Sequence, residues 1–373
     1  MRDADVLVIG AGLHGCSAAL QLARRGFRVT VLERRHVGRH ASGINAGGVR
    51  TLGRDPAEVP LSVIGMAHWH GLAALVGDDG GFKACGQLKV AENAAEMAKL
   101  EARVASVRRM GYEHEKLIDA GELRRLVPAL APHCVGAIHV PDDGAADPYR
   151  TTHAFAARAR AEGVEIVEGE GVTGLDRRGG AWEAVAGERR YRAGTVVNAA
   201  GAWAGRIAAL VGESFPLKTR ASMMMVTERV PMIVSPVVGA VGRPLSFKQS
   251  PEGTAIIGGG QQGRADLDLE QGWVDVVNLS RSAKTATDLF PAMRGVGLVR
   301  AWCGIEAETP DRLPVIERSM AVPDLVHVFG FSGHGFQLGP VCGEAVADLV
   351  TRGATELPIA PFGSARLRPA AAA

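Results

Sequence analysis

The chain has 373 residues, with 42 lysines and arginines against 40 aspartates and glutamates; the net charge of +2 without a basic block argues against a nucleic-acid partner. Hydrophobic residues at 47% suit a two-domain core, and no apolar run reaches the length of a membrane-spanning helix. The five cysteines (Cys16, Cys85, Cys134, Cys303, Cys342) are scattered and form no C-x-x-C, which argues against a disulfide framework, a metal site or a redox dithiol. The chain enters an apolar strand at its start, leaving no room for a signal peptide, and the cytoplasm is the expected compartment.

Residues 6–9 form a short apolar run suited to a buried parallel strand. Gly10, Gly12 and Gly15 follow as G-x-G-x-x-G, with Leu13 and His14 between them. The first glycine permits a tight turn, the second a close approach of pyrophosphate, and the third close packing of helix on strand. Residues 16–25 read as a helix with its positive end toward the phosphates, and residues 27–32 as the next strand. Glu33, eighteen residues past Gly15, is placed to accept both ribose hydroxyls, with Arg34 beside it. NAD and FAD satisfy these features equally.

Further on, residues 58–80 read as helical, 87–90 as a strand, 94–111 as a charged amphipathic helix and 120–127 as a short helix. A strand at 135–140, a helix at 151–162, a strand at 164–167 and a hairpin over 182–186 and 189–192 follow. Residues 195–200 form a buried strand ending at Gly201, and 245–249 and 254–258 flank a Pro251-Glu252-Gly253 turn. A long amphipathic helix is expected over about 269–289, and a frayed tail after Pro358. The alternation predicts an α/β protein: a Rossmann-like nucleotide-binding domain from 1–84, 141–215 and 299–365, and a substrate domain of mixed β-sheet plus helices from 85–140 and 216–298.

Four further segments accompany the glycine motif. They are His40-Ala41-Ser42-Gly43-Ile44-Asn45-Ala46-Gly47-Gly48-Val49-Arg50; Asn198-Ala199-Ala200-Gly201-Ala202-Trp203; Arg300-Ala301-Trp302-Cys303-Gly304 running into Thr309-Pro310-Asp311; and Gly330-Phe331-Ser332-Gly333-His334-Gly335-Phe336-Gln337-Leu338-Gly339-Pro340. In this order the chain resembles the FAD-dependent D-amino-acid oxidase superfamily, and within it the branch of glycine oxidase, sarcosine oxidase and the β subunits of hydroxyproline and opine dehydrogenases.

The resemblance implies extended FAD held without a covalent bond. Gly10, Gly12, Leu13, His14, Gly15 and Ser42 would serve its phosphates, Glu33 and Arg34 its ribose, and Val172 the adenine. Asn45, Ala46, Gly47, Ala200, Gly201, Trp203 and Gly304 would complete the cofactor set. Backbone N–H groups of Gly333, His334, Gly335, Phe336 and Gln337, at the entry of the last helix, would face negative charge accumulating on the flavin. Arg50 is the expected clamp for a substrate carboxylate, because a guanidinium is planar, bidentate and always charged. His334 and Gln337 are the other expected catalytic residues.

Two departures bear on chemistry. Single-subunit sarcosine oxidases carry lysine where this chain has Gln337, and glycine oxidase an arginine where it has Ile305-Glu306. Cys303 falls one residue early for the cysteine that links FAD in sarcosine oxidases, so packing is its expected role. The expected activity is hydride transfer to flavin N5 from an amino or imino acid of the D-hydroxyproline or sarcosine type, giving an imine. Partner subunits and an external electron acceptor are expected with it. An oxygen-using oxidase, a 2-hydroxy-acid dehydrogenase and a non-catalytic FAD-binding electron-transfer subunit are the alternatives.

Overall fold

The computed structural model describes residues 2–367. The first strand, Arg2–Ile9, runs through the middle of an eight-stranded sheet, parallel to Val29–Glu33 on one side and Arg189–Asn198 on the other. Glu165–Glu168 and Leu325–Phe329 extend the sheet outward in parallel, and Val315–Arg318 closes one edge antiparallel. Val6 and Val8 point to one apolar layer, Leu7 and Ile9 to another. A strand covered on both faces must be apolar throughout, which is why this run shows no alternation.

The first layer is built by the helices Leu13–Arg24, Pro148–Ala161 and Gly335–Arg352. The opposite face is covered by the hairpin Val172–Arg178 and Ala181–Ala186, whose Leu175, Trp182 and Ala184 are buried. The strand expected at 195–200 and the second arm of the hairpin are one continuous strand, Arg189–Asn198.

The second sheet also has eight strands, in the order 298–308, 218–229, 254–258, 246–249, 237–240, 87–91, 136–140 and 116–119. It is antiparallel except where Val237–Ala240 runs parallel to Gln87–Ala91. The helix Val276–Leu289 packs Ala286 and Leu289 on one face beside Leu88 and Val90. The helix Ala94–Arg109 packs Leu100 and Val104 on the other, against Ala91, Ile138 and Leu52. No helix among the described residues is long and apolar enough to cross a membrane.

Three expectations are corrected. The long helix starts at Val276, because the Asp275 carboxylate accepts the Asn278 N–H and caps it; residues 264–273 form a small hairpin instead. Gly272 in that hairpin lies so close to Cys303 Sγ that a Cβ would stand 2.4 Å from the sulfur. The helical stretch expected at 58–80 breaks at Gly71 into Val59–His70 and Leu72–Val76. The described part of the tail is packed, with Phe362 fully buried in the first core and Arg366 paired with Asp311 at 2.7 Å. Residues 368–373 of the expected fray lie outside the described residues.

Candidate functional site

Both sheets line one cavity of about 810 Å³. Its lining includes Gly10, Gly12, Leu13, His14, Glu33, Arg34, Ser42, Asn45, Ala46, Gly47, Arg50, Val172, Ala200, Gly201, Trp203, Gly304 and residues 333–336. The sequence motifs, distant along the chain, therefore meet at one cavity.

The glycine turn is shaped by close approaches. Gly10 has φ +105°, and a Cβ there would stand 2.6 Å from the Ala199 carbonyl oxygen. A Cβ on Gly15 would stand 2.0 Å from the Gly10 carbonyl oxygen, so Gly15 serves packing and does not line the cavity. Glu33 is held by two backbone donors, the Ala11 N–H at 2.8 Å and the Arg35 N–H at 2.9 Å. Each carboxylate oxygen keeps a lone pair for a ribose hydroxyl. Burial raises the Glu33 pKa despite these bonds.

Ser42 accepts the Leu13 N–H at 2.9 Å, tying the second motif to the first helix. Asn45 ties its own turn: Nδ2 donates to the Ala41 and Ser42 carbonyls, and Oδ1 accepts the Gly47 N–H at 2.7 Å. Trp302 donates to the Ile44 carbonyl at 2.8 Å, anchoring the same turn from the second sheet. Cys303 is not among the cavity residues; burial raises its thiol pKa.

At the last helix, Gly330 (φ +76°), Ser332 (φ +53°) and Gly333 (φ +88°) are all left-handed. Two N–H groups of this turn are already spent inside the fold: that of Ser332 donates to the Ala307 carbonyl at 3.2 Å and that of His334 to the Phe331 carbonyl at 2.9 Å, so the expectation that the His334 N–H faces the flavin is corrected. Ser332 bears the strain of a non-glycine there while its hydroxyl donates to the Gly330 carbonyl at 3.1 Å and accepts the Thr309 N–H.

Arg50 reaches the cavity from a loop fixed by Asp143, whose carboxylate accepts the Thr51 N–H and hydroxyl and the Leu52 N–H at 2.7–2.9 Å. Burial pushes Asp143 up to about 6 against these bonds and the Arg50 charge. The Arg50 guanidinium donates to the Leu52 carbonyl and pairs with neither Asp55 nor Glu58.

Gln337 is the expectation the geometry overturns. Its side chain is fully buried away from the cavity: Nε2 donates to the Ser62 carbonyl at 2.8 Å, and Oε1 accepts from Arg54 and the Ser62 hydroxyl, each at 3.1 Å. The packing of helix Val59–His70 against the last helix claims it, and Gln337 does not line the cavity.

Residues missed from sequence are Arg54, Glu58, Lys89, His40 and Glu270. Arg54 donates to the carbonyls of Arg50 and His334, both at 3.0 Å, and lies 3.8 Å from Glu58. The spacing Arg50, Arg54, Glu58 was the available signal; Lys89 is a lone charge within an apolar strand. His40 and Arg34 meet Glu270 of the small hairpin, at 3.8 and 3.0 Å.

The residues fit an extended flavin dinucleotide. Buried polar atoms without a hydrogen bond occur on His14, His40, Arg220 and His334, all cavity residues, as a polar ligand's site requires.

The comparisons agree with this geometry. The chain is 26% identical to hydrogen cyanide synthase subunit HcnC of Pseudomonas aeruginosa, over 100% of this chain and 98% of that one. It is 29% identical to glycine oxidase of Geobacillus kaustophilus over 97% of each, and that enzyme's crystal structure superposes with a TM-score of 0.90, 26% identity and full coverage of both chains. The crystal structure of L-proline dehydrogenase from P. horikoshii gives a TM-score of 0.91 at 28% identity over 98% of each chain. Residues 5–349 match the DAO family model, and the chain belongs to this family of FAD dependent oxidoreductases.

Proposed function

We propose that the protein oxidises a secondary amine α to a carboxylate, an imino acid or N-alkyl amino acid of the D-hydroxyproline or sarcosine type, to its imine. Bound FAD supplies the two-electron acceptor that takes up hydride at N5. The observation that carries this reading is Arg50: a guanidinium lining the cavity near the flavin-end glycine turns, with no carboxylate partner among the described residues. A carboxylate held bidentately there would be oriented with its α-carbon toward the flavin, converting diffusion into a fixed approach.

In this reading Gly10, Gly12, His14 and Ser42 bind the pyrophosphate, Glu33 and Arg34 the adenosine ribose, and Val172 the adenine. Ala46, Gly47 and the N–H groups of Gly333, Gly335 and Phe336 frame the flavin, the His334 N–H being taken by the Phe331 carbonyl. His334 lines the cavity and is kept neutral: burial pushes its pKa down to about 4, Glu58 opposing and Arg50 and Arg54 adding. A neutral imidazole beside two guanidiniums tolerates a neutral amine far better than an ammonium, and the neutral amine is the form whose lone pair assists hydride departure. Residues 1–84, 141–215 and 299–365 would serve the cofactor, and 85–140 and 216–298 the substrate.

The likeness to HcnC, named as a synthase subunit, supports a partner subunit; an external electron acceptor belongs to the same proposal. Anaerobic bleaching of the flavin by a panel of D- and L-amino acids, hydroxyprolines and sarcosine tests the reading; a flavin that none of them reduces overturns it. Arg50→Ala is expected to raise KM roughly a hundredfold, from the loss of a charged anchor, with FAD affinity nearly unchanged. Reoxidation by oxygen against a quinone or dye separates oxidase from dehydrogenase.

A further inference from the structure

Besides Arg34 and Arg206, which pair with Glu270 and Asp268, and the exposed Arg39, six cations line the cavity: Arg50, Arg54, Lys89, Arg220, Arg243 and Arg312. Four have acids. Arg54 faces Glu58 at 3.8 Å; Arg220 and Arg312 share Glu308; Arg243 holds Glu92 at 2.6 Å and Asp288 at 2.7 Å. Arg50 and Lys89 have none: among the described residues, no carboxylate oxygen comes within 4.0 Å of either. The nearby acids are already engaged. Asp143 holds the Thr51 and Leu52 backbone, and Glu115 takes Arg103 at 2.9 and 3.0 Å and the Gly53 N–H at 2.7 Å.

The two free cations belong to elements that pack together. Strand Gln87–Ala91, which carries Lys89, is joined to the Arg50 loop where Gln87 Nε2 donates to the Val49 carbonyl at 3.3 Å and where Leu52 packs on Ala91. Leu88 and Val90 point into the opposite apolar layer, so Lys89 shares the loop-facing side of the strand with Gln87 and Ala91. Burial lowers the Lys89 pKa, and the positive charges of Arg50 and Arg103 lower it further, with Glu115 opposing. Two partly buried cations that repel one another and lack counter-ions are costly unless a ligand brings negative charge.

Resting on the amine-oxidation reading above, we propose that the substrate is a secondary amine carrying two carboxylates, an N-(carboxyalkyl) amino acid, with its α-carboxylate on Arg50 and the second carboxylate on Lys89. A single carboxylate would satisfy one cation and leave the other unpaired. Glu306 extends the argument. It lines the same cavity, accepts the Ser222 hydroxyl at 2.5 Å and stands 4.0 Å from Arg220. Glu306, itself set against Arg220, offers a second carboxylate no anchor on its side, whereas Lys89 does.

The test uses the FAD-loaded protein and two inert thioether analogues, thiodiacetate with two carboxylates and methylthioacetate with one, each titrated by the change in flavin absorbance. Thiodiacetate is expected to bind at least about tenfold more tightly, a difference of about 1.4 kcal/mol. Lys89→Gln should erase that preference and Lys89→Arg should restore it. Equal affinities in the parent protein, or a loss shared equally by both analogues in Lys89→Gln, overturns the proposal, and the parent comparison stands even where a variant fails to fold. Reduction by sarcosine with kcat/KM equal to that of iminodiacetate also overturns it, yet leaves amine oxidation intact. If the dicarboxylate analogue is preferred but no amine bleaches the flavin, the site stands and the amine-oxidation reading fails.

Discussion

Glu58 Oε2 stands 3.6 Å from Nδ1 of His334, and neither that nitrogen nor either Glu58 oxygen has a hydrogen bond. Glu58 is fully buried. Burial pushes its carboxyl up, but His334, Arg54 and Arg50 together hold it below the ordinary range, so it remains an anion. One buried carboxylate thus serves a guanidinium and an imidazole at the mouth of the last helix. Glu58→Gln would leave Arg54 charged and without an acid. Loss of one partner from a buried charge pair costs about 3 kcal/mol, so the urea midpoint of the apoprotein should fall accordingly. An unchanged midpoint would mean that the carbonyls of Arg50 and His334 suffice for Arg54.

His14 gives a stability prediction with a definite sign. Its ring stacks on Phe331 with centroids 3.8 Å apart, and Nε2 is buried without a partner. Burial lowers its pKa from 6.5 to about 3. Between those values the unfolded chain binds the proton and the folded one does not, so stability is full above the window and is lost as pH falls through it. The slope is at most about 1.4 kcal/mol per pH unit for one such group. His14→Phe keeps the stack and removes the proton site. Its apoprotein should lose less Tm between pH 6.5 and 4.5 than the parent; equal losses would show that His14 does not control this limb.

What could be read from sequence was what short-range backbone chemistry encodes. Gly10, Gly15 and Gly333 occupy positions that no side chain fits or whose φ is left-handed, and such constraints appear as glycine at fixed spacing. Asn198 to Trp203 and Ser42 to Arg50 were legible for the same reason, as turns with their flanking strands or loops. Gln337 was misjudged because its orientation depends on helix Val59–His70, some 270 residues away in sequence, whose position no local pattern encodes. Lys89, Arg54 and Glu58 left only weak local signals, a lone charge in an apolar strand and a four-residue spacing, because each becomes part of the site only when a strand or loop docks. The small hairpin at 264–273 was hidden by an apolar rhythm that continued into the true helix, although Asp275 was a readable cap.

The contact between the first and last helices depends on Gly343. A Cβ there would stand 2.1 Å from Ser17 Oγ and 2.6 Å from the Ser17 carbonyl carbon, and the backbone cannot yield. Gly343→Ala should therefore destabilise by roughly 1–3 kcal/mol despite better helix propensity. Gly194→Ala is the control: its Cβ would meet only the Asp5 carbonyl oxygen, at an ordinary 3.5 Å. Thermal melts of the two variants that lie within a degree of each other would refute the packing argument.

Glu270 joins the small hairpin to the cavity residue Arg34. Its carboxylate takes Arg35 at 2.8 and 3.1 Å and Arg34 at 3.0 Å, and the neighbouring Leu267 carbonyl accepts the Trp203 indole N–H at 3.0 Å. Asp268 adds an ion pair to Arg206 at 2.7 Å. Glu270 itself is left-handed, with φ +52°, so the hairpin is bent at some cost to deliver this carboxylate. Arg34, Trp203 and Arg206 line the cavity, and the hairpin fixes all three before a ligand arrives. Preorganisation of this kind appears in affinity: Glu270→Gln should weaken FAD binding roughly tenfold, or about 1.4 kcal/mol, by flavin fluorescence titration. The kcat of the fully loaded enzyme should hold, since the partners of Glu270 are Arg34, Arg35 and His40, none of them among the residues proposed to frame the flavin. High salt should produce part of the same loss in the parent, because Arg35 is half-exposed and its pairing is screened. An unchanged Kd would mean that the glycine turn alone holds the cofactor and that the hairpin serves the fold.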